Sequence, residues 1–157
     1  MDEMKKFRQC LGQFATGVTV VSCRDPDGKP CGITANSFSS VSLEPPLVLW
    51  NIAKVSNSLG AYLNAEHFAI NILSRQQRSL AAHFAKSENG LFDDIGSKDS
   101  QYSVPILSDT LAHLECRTHA IHDSGDHHII VGEVIDFRLS DNEPLIFYGG
   151  NYTGVNS

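Results

Sequence analysis

The run Thr34-Ala35-Asn36-Ser37-Phe38-Ser39-Ser40 gathers short hydroxyl and amide side chains without one charged residue. At a strand end such a run offers side-chain donors and acceptors beside exposed backbone N–H groups. That set can hydrogen-bond the edge of a planar heteroaromatic ring, or a phosphate, without adding net charge. Composition alone fits a solvated Ser-rich turn as well. The apolar run that follows, Leu47 to Ile52, requires the turn to lie against the body of the protein. A second group, Lys54-Val55-Ser56-Asn57-Ser58, follows a buried strand and opens a helix, where hydroxyls and an ammonium suit a phosphate. A capping serine beside a surface lysine looks the same. The third group, Gly125-Asp126-His127, marks a turn from which a histidine either reaches over a neighbouring cleft or faces solvent.

Other chemistries lack their parts. His119 and His122 stand three apart on one strand and so point to opposite faces, and the adjacent His127 and His128 diverge for the same reason. No HExxH occurs, and no ligand set for a metal presents itself. Cys10, Cys23, Cys31 and Cys116 include no CxxC pair, so reduced cytoplasmic thiols are expected. Gly-x-Ser-x-Gly, GxGxxG and the P-loop are all missing. If the chain is an enzyme, its reactive group is borrowed from a cofactor. With 12 Lys and Arg against 18 Asp and Glu, the formal charge of -6 leaves no basic stripe for nucleic acid. No apolar run is long enough for a membrane span, and no secretory leader is expected at the N-terminus.

The elements that must position these groups follow from periodicity. Residues 2–14 put Met4, Phe7, Leu11 and Phe14 on one helix face, with Cys10 near its inner side. The β-branched run 18–23 and residues 31–35 flank Pro26 and Asp27-Gly28 and read as a hairpin. Leu47 to Ile52 forms a buried strand preceded by Pro45-Pro46, and residues 56–65 a short helix opening at Ser56 or Ser58. Residues 67–73 form another strand. Ser74 and Gln77 have capping-box spacing before a helix whose inner face is Leu80, Ala81, Phe84 and Ala85. Residues 86–108 read as a long loop with at most short elements, a length that often signals function. Segments 111–123 and 127–139 form a long antiparallel hairpin, and 144–149 a last strand. Trp50 is expected in the core or a dimer seam, and Cys116 as a packed thiol. His113, His119 and His122 read as strand or surface residues. Residues 1–157 are expected to form a single domain, mainly β, built as a closed antiparallel barrel with flanking helices.

Several blocks together resemble the short-chain flavin reductases, the reductase components of two-component flavin monooxygenases. They are Gly32-x-Thr34-Ala35-Asn36-Ser37-Phe38-Ser39-Ser40-Val41-Ser42 with Pro45-Pro46-Leu47-Val48-Leu49, then Phe68-x-Ile70-Asn71-x-Leu73-Ser74 continuing through Gln77 and Leu80 to Phe84-Ala85. Leu114-Glu115-Cys116, Gly125-Asp126-His127, Gly132-Glu133-Val134, Pro144-Leu145-x-Phe147-Tyr148 and Tyr152 complete the likeness, which covers nearly the whole chain.

The resemblance implies an FMN-binding split barrel, a homodimer, and transfer of hydride from NADH or NADPH to FMN or FAD. Reduced flavin would supply a separate monooxygenase. By the same analogy Thr34, Ala35, Asn36 and Ser37 contact the isoalloxazine ring, with the Asn36 amide at its polar edge. Ser39 and Ser40 frame the ribityl and phosphate groups, and Lys54, Ser56 and Ser58 hold the phosphate. His127 lies on the nicotinamide side, as a positioning or charge-balancing group, and Tyr152 near the flavin pocket. His128 after the turn departs from the pattern. So does the aromatic-poor stretch 86–108, although Phe92 is in place. Two alternatives stand beside this reading: a tightly held flavin that reduces a corrinoid or a small organic acceptor, and a non-enzymatic flavin-binding protein.

Overall fold

The computed structural model describes residues 2–155. Helix α1 (Glu3–Leu11) starts at Asp2, whose carboxylate accepts from Lys5 N at 2.7 Å, and gives way to Gly12. Its apolar face is exposed: Met4, Phe7, Leu11 and the following Phe14 are 57–78% accessible. Cys10, expected on an inner face, is exposed as well, because nothing among the described residues covers this side of the helix.

Strand β1 (Thr16–Gly17) leads into the hairpin β2 (Thr19–Arg24) and β3 (Pro30–Ala35). Gly28 turns its corner at φ +82°, and the Asp25 carboxylate accepts from the N–H groups of Asp27 and Lys29. Next come β4 (Ser39–Leu43), β5 (Pro46–Ala53), α2 (Leu59–Asn64) and β6 (His67–Ile72). Ser74 N donates to the Gln77 side chain at 3.0 Å, as the capping-box spacing requires. The box opens a 3₁₀ turn, Arg75–Gln77, that runs into α3 (Arg78–Phe84). Ala81 and Phe84 are buried there, whereas Ala85 lies past the helix end and is exposed. The expected loop 86–108 holds only β7 (Ser97–Asp99) and β8 (Pro105–Leu107). The long hairpin is β9 (Ala112–Ser124) with β10 (His127–Leu139), and β11 (Leu145–Tyr148) and β12 (Asn151–Gly154) close the chain.

Every ladder is antiparallel. Seven strands form one sheet in the order β3-β2-β6-β9-β10-β5-β4. The sheet is not the closed barrel expected from the order of elements: it stays open between β3 and β4, which share no ladder among the described residues, and this opening is the split of the split barrel that the resemblance implies. Both prolines that begin strands, Pro30 and Pro46, stand where the ladder is not yet complete.

The β-branched run of β2 is explained by burial on both faces. Val18 and Val20 enter one apolar cluster with Leu73, Ala81, Phe84 and Phe92; Val21 and Cys23 enter another with Trp50, Tyr62, Phe68 and Ile130. Buried polar groups are tied between the clusters. Asn71 Nδ2 donates to Val20 O at 2.9 Å and to Ser22 Oγ at 3.0 Å, while its Oδ1 accepts from Leu107 N at 3.1 Å. No helix among the described residues is long and apolar enough to cross a membrane.

Candidate functional site

Segments distant in sequence leave a cavity of about 770 Å³ between them. One wall is β3 with its preceding turn, a second is the β5–α2 connection, and the third is the loop 85–93. The volume lies within the range of small-molecule and cofactor sites.

Strand β3 is an edge. Asp25 N donates to Lys29 O at 2.9 Å, which sets the phase of the β2–β3 ladder. The pairs Cys23–Cys31, Val21–Ile33 and Thr19–Ala35 then spend their backbone groups inward. The backbone N–H and C=O of Gly32 and Thr34 consequently point out along the free edge. Gly32 is needed here for space: a Cβ would sit 2.7 Å from Phe84 Cδ1 and 2.8 Å from Phe92 Cε2. The two rings pack at 4.8 Å between centroids and support the loop that forms the third wall.

Of the residues predicted from sequence, Ser56 and Ser58 line the cavity, with their hydroxyls 3.2 Å apart. Lys54 stands between the lining residues Ala53 and Val55. Its ammonium is held by Asp123 at 2.7 Å, and its N–H donates to Asp126 O at 2.9 Å. Lys54 thus bolts the end of β5 to the tip of the β9–β10 hairpin. His127 is opposite Ala53 in the ladder, which brings the turn histidine beside the same rim. His127 Nδ1 donates to Asp126 at 2.7 Å, so Nε2 is the ring atom left for a ligand. The His127 contact holds the Asp126 carboxyl below the usual carboxylate range, and the Lys54 hydrogen bond and charge do the same to Asp123.

The run Thr34 to Ser40 continues from the cavity wall. Thr34 Oγ1 donates to Ala81 O at 2.6 Å, so its side chain is occupied and only its backbone is free. Ser37 Oγ accepts from Asn51 N at 3.0 Å and lies 3.3 Å from Asn51 O, which docks the loop across β5. Asn36 is exposed, and its amide has no hydrogen-bond partner among the described residues. Ala35 ends β3, with its carbonyl accepting from Thr19 Oγ1 at 2.6 Å. Ser39 and Ser40 lie on the exposed strand β4, where Ser39 Oγ donates to Ser40 O at 3.0 Å. Tyr152 is elsewhere. It packs on Phe147 at 5.3 Å, 5.8 Å from the Arg78 guanidinium, in the cluster of Phe84 and Phe92.

Sequence reading missed the loop 85–93 as a wall, the space-making role of Gly32, and Asn51. The buried Oδ1 of Asn51 has no partner among the described residues. The length of the loop and the glycine that opens the Thr34 run were the available signals.

Comparison with known proteins places these features in context. Residues 11–156 match the flavin reductase like domain family. The chain is 48% identical over 151 residues to the FMN reductase (NADH) SmoA of Agrobacterium fabrum, covering 96% of this chain and 86% of that one. It is 40% identical over 152 residues to HsaB, the reductase subunit of a flavin-dependent monooxygenase of Rhodococcus jostii, covering 96% and 77% of the two chains. Its fold superposes on the NADH:FAD oxidoreductase SgcE6 of Streptomyces globisporus, solved with NAD and FAD fragments. The TM-score is 0.93 at 36% identity, with 98% of this chain and 93% of that one covered.

Proposed function

The chain belongs to the flavin reductase like family, and from that premise we infer that it is an NAD(P)H:flavin oxidoreductase that delivers reduced FMN or FAD to a separate monooxygenase. The observation that carries the site assignment is the cavity bounded by the free edge of β3 and the Ser56–Ser58 pair. It has the volume, the flat backbone edge and the hydroxyl end that a ring joined to a phosphate requires. When bound, the isoalloxazine supplies the redox chemistry by accepting hydride from the nicotinamide. The chain's part is to bind, orient and leave one ring face open.

The outward N–H groups of Gly32 and Thr34 and the Asn36 amide donate toward the polar ring edge, where negative charge develops on reduction. Ala35 and Ser37 fix the loop for this, Ser37 through Asn51. Ser56 and Ser58 take the phosphate, with Ser39 and Ser40 framing the chain that leads to it. Lys54, neutralised by Asp123, positions the hairpin tip more than it attracts phosphate. His127 presents Nε2 toward the nicotinamide side. Tyr152 bears on the site only through the aromatic cluster behind Gly32. This reading takes residues 1–157 as one flavin reductase unit working in the cytoplasm, where reduced nicotinamide is available.

The same reading makes the protein a homodimer. Its surface of 9384 Å² exceeds the roughly 7,800 Å² expected for a compact monomer of this mass. Met4, Phe7, Leu11 and Phe14 stand bare along one face of α1 and its end, 57–78% exposed, and an apolar stripe of that kind suits a covered face. Sedimentation should give twice the chain mass; a monomer at micromolar concentration removes this part.

The deciding experiment follows NADH and NADPH oxidation with no flavin, with FMN and with FAD, after the visible spectrum of the purified protein has been recorded. A rate that climbs steeply with added flavin is expected. A yellow protein indifferent to added flavin overturns the diffusible-flavin reading. Two substitutions locate the ligands. Asn36→Ala is expected to weaken flavin binding about tenfold, the worth of a lost ring-edge hydrogen bond, and an unaltered flavin titration removes that role. His127→Ala should raise the nicotinamide KM roughly three- to tenfold with little change in flavin affinity; unchanged kinetics take His127 out of the site.

A further inference from the structure

Cys23 and Cys31 are direct partners across the β2–β3 ladder. The Asp25–Lys29 bond two residues nearer the turn puts them at a hydrogen-bonded site, where Cα atoms stand about 5.5 Å apart. That separation falls within the span of a disulfide. Directly opposed side chains leave a sheet on the same face, and both sulfurs belong to the apolar cluster around Trp50 and Tyr62.

Their access to solvent differs. Cys23 is fully buried, whereas Cys31 is half-buried and lines the cavity. A small oxidant entering the cavity therefore meets Cys31 first. The pair is also polarised. The neighbouring Cys23 thiol holds Cys31 below the usual thiol range, while Cys31 and burial push Cys23 well up. The remaining cysteines have no such partner: Cys10 is on exposed α1, and Cys116 faces Phe68 and Val134 in its ladders. Burial pushes Cys116 up to about 12.

We propose that Cys23 and Cys31 form a peroxide-modifiable dithiol in the cavity wall, which closes to a disulfide joining β2 to β3. The Cys31 thiolate attacks one oxygen of the peroxide, the O–O bond breaks, and the departing hydroxide takes a proton to become water. Cys31 is then a sulfenic acid. The Cys23 sulfur attacks the Cys31 sulfur, the S–O bond breaks, and the hydroxyl leaves as water with the Cys23 proton. Two thiols are oxidised by two electrons and one hydrogen peroxide is reduced to two waters. The proposal rests on the flavin-reductase reading only for the source of the oxidant, because reduced flavin released into air generates peroxide. The test supplies peroxide directly, so the two readings fail separately.

The Cys10→Ser protein, free of flavin, is treated with hydrogen peroxide and examined by intact mass and peptide mapping. It should lose two hydrogens, yield a Cys23–Cys31 linked peptide, and regain both hydrogens with dithiothreitol. Adding Cys23→Ala should stop the reaction at Cys31, which gains one oxygen that dimedone captures. If that variant does not fold, the Cys10→Ser result decides alone, since it disturbs no core residue. Three thiols still titratable after peroxide would overturn the proposal. So would a disulfide that uses Cys116, or over-oxidised Cys31 beside a reduced Cys23.

Discussion

Gly32→Val is expected to raise the flavin KM at least about tenfold and to cost roughly 1–3 kcal/mol of stability. The cause is space. The first added carbon alone would come within 2.7 Å of two atoms of the Phe84 ring and 2.8 Å of Phe92. Neither ring can swing into solvent, since Phe84 is 1% and Phe92 6% exposed. The strain must pass into β3 or into the loop beside Phe92, and both are cavity walls. Gly60→Ala is the matching control, because a Cβ there meets nothing within 4 Å and α2 gains a better helix former. The comparison reads melting temperature and flavin-dependent NADH oxidation side by side. A Gly32→Val protein that titrates flavin like the parent would show that this wall does not face the ligand.

Trp50→Ala carries the largest expected loss of stability, about 3–5 kcal/mol. Trp50 is fully buried on β5, edge-on to Tyr62 at 5.0 Å and tilted against Phe68 at 6.3 Å. Removing it empties the centre of the cluster it forms with Val21, Tyr62, Phe68 and Ile130. For a chain of this size the loss corresponds to a fall of roughly 6–20 °C in Tm, which uses much of the margin of an ordinary domain. Trp50→Phe should cost far less than its lost volume suggests. The indole N–H is buried without a partner among the described residues, and phenylalanine has no such donor to leave unpaired. Because Trp50 is the single tryptophan, unfolding of both variants has to be followed by circular dichroism. Equal melting temperatures for Trp50→Ala and the parent would refute the packing argument.

Much of the scaffold was legible in the chain, and the exceptions share a cause. The β9–β10 hairpin, the turn at Asp27-Gly28 and the pairing of Ser74 with Gln77 are local events, written in residues a few places apart. Strand β4 was not legible. Its sequence Ser39-Ser40-Val41-Ser42-Leu43 is mostly exposed and extends because β5 is there to pair with it. The two-residue β1 and the four-residue β12 exist likewise through β11. Periodicity in α1 correctly marked an apolar face and said nothing of what covers it, which is why Cys10 was misplaced. The site divides the same way. Ser56 and Ser58 announced themselves as a cluster, whereas loop 85–93 became a wall only when folding brought it opposite residues some sixty places earlier.

The order of strands in the large sheet also governs when the site can come into being. All the cavity residues are made by position 93. Yet β3, β2 and β6 join β5 and β4 only through the β9–β10 hairpin, whose second strand begins at His127. A nascent chain that has released its first hundred residues holds every part of the pocket and no means of setting the two halves side by side. Binding competence must therefore arrive late and all at once. Until then the apolar faces of β2 and β5 depend on other protection during synthesis.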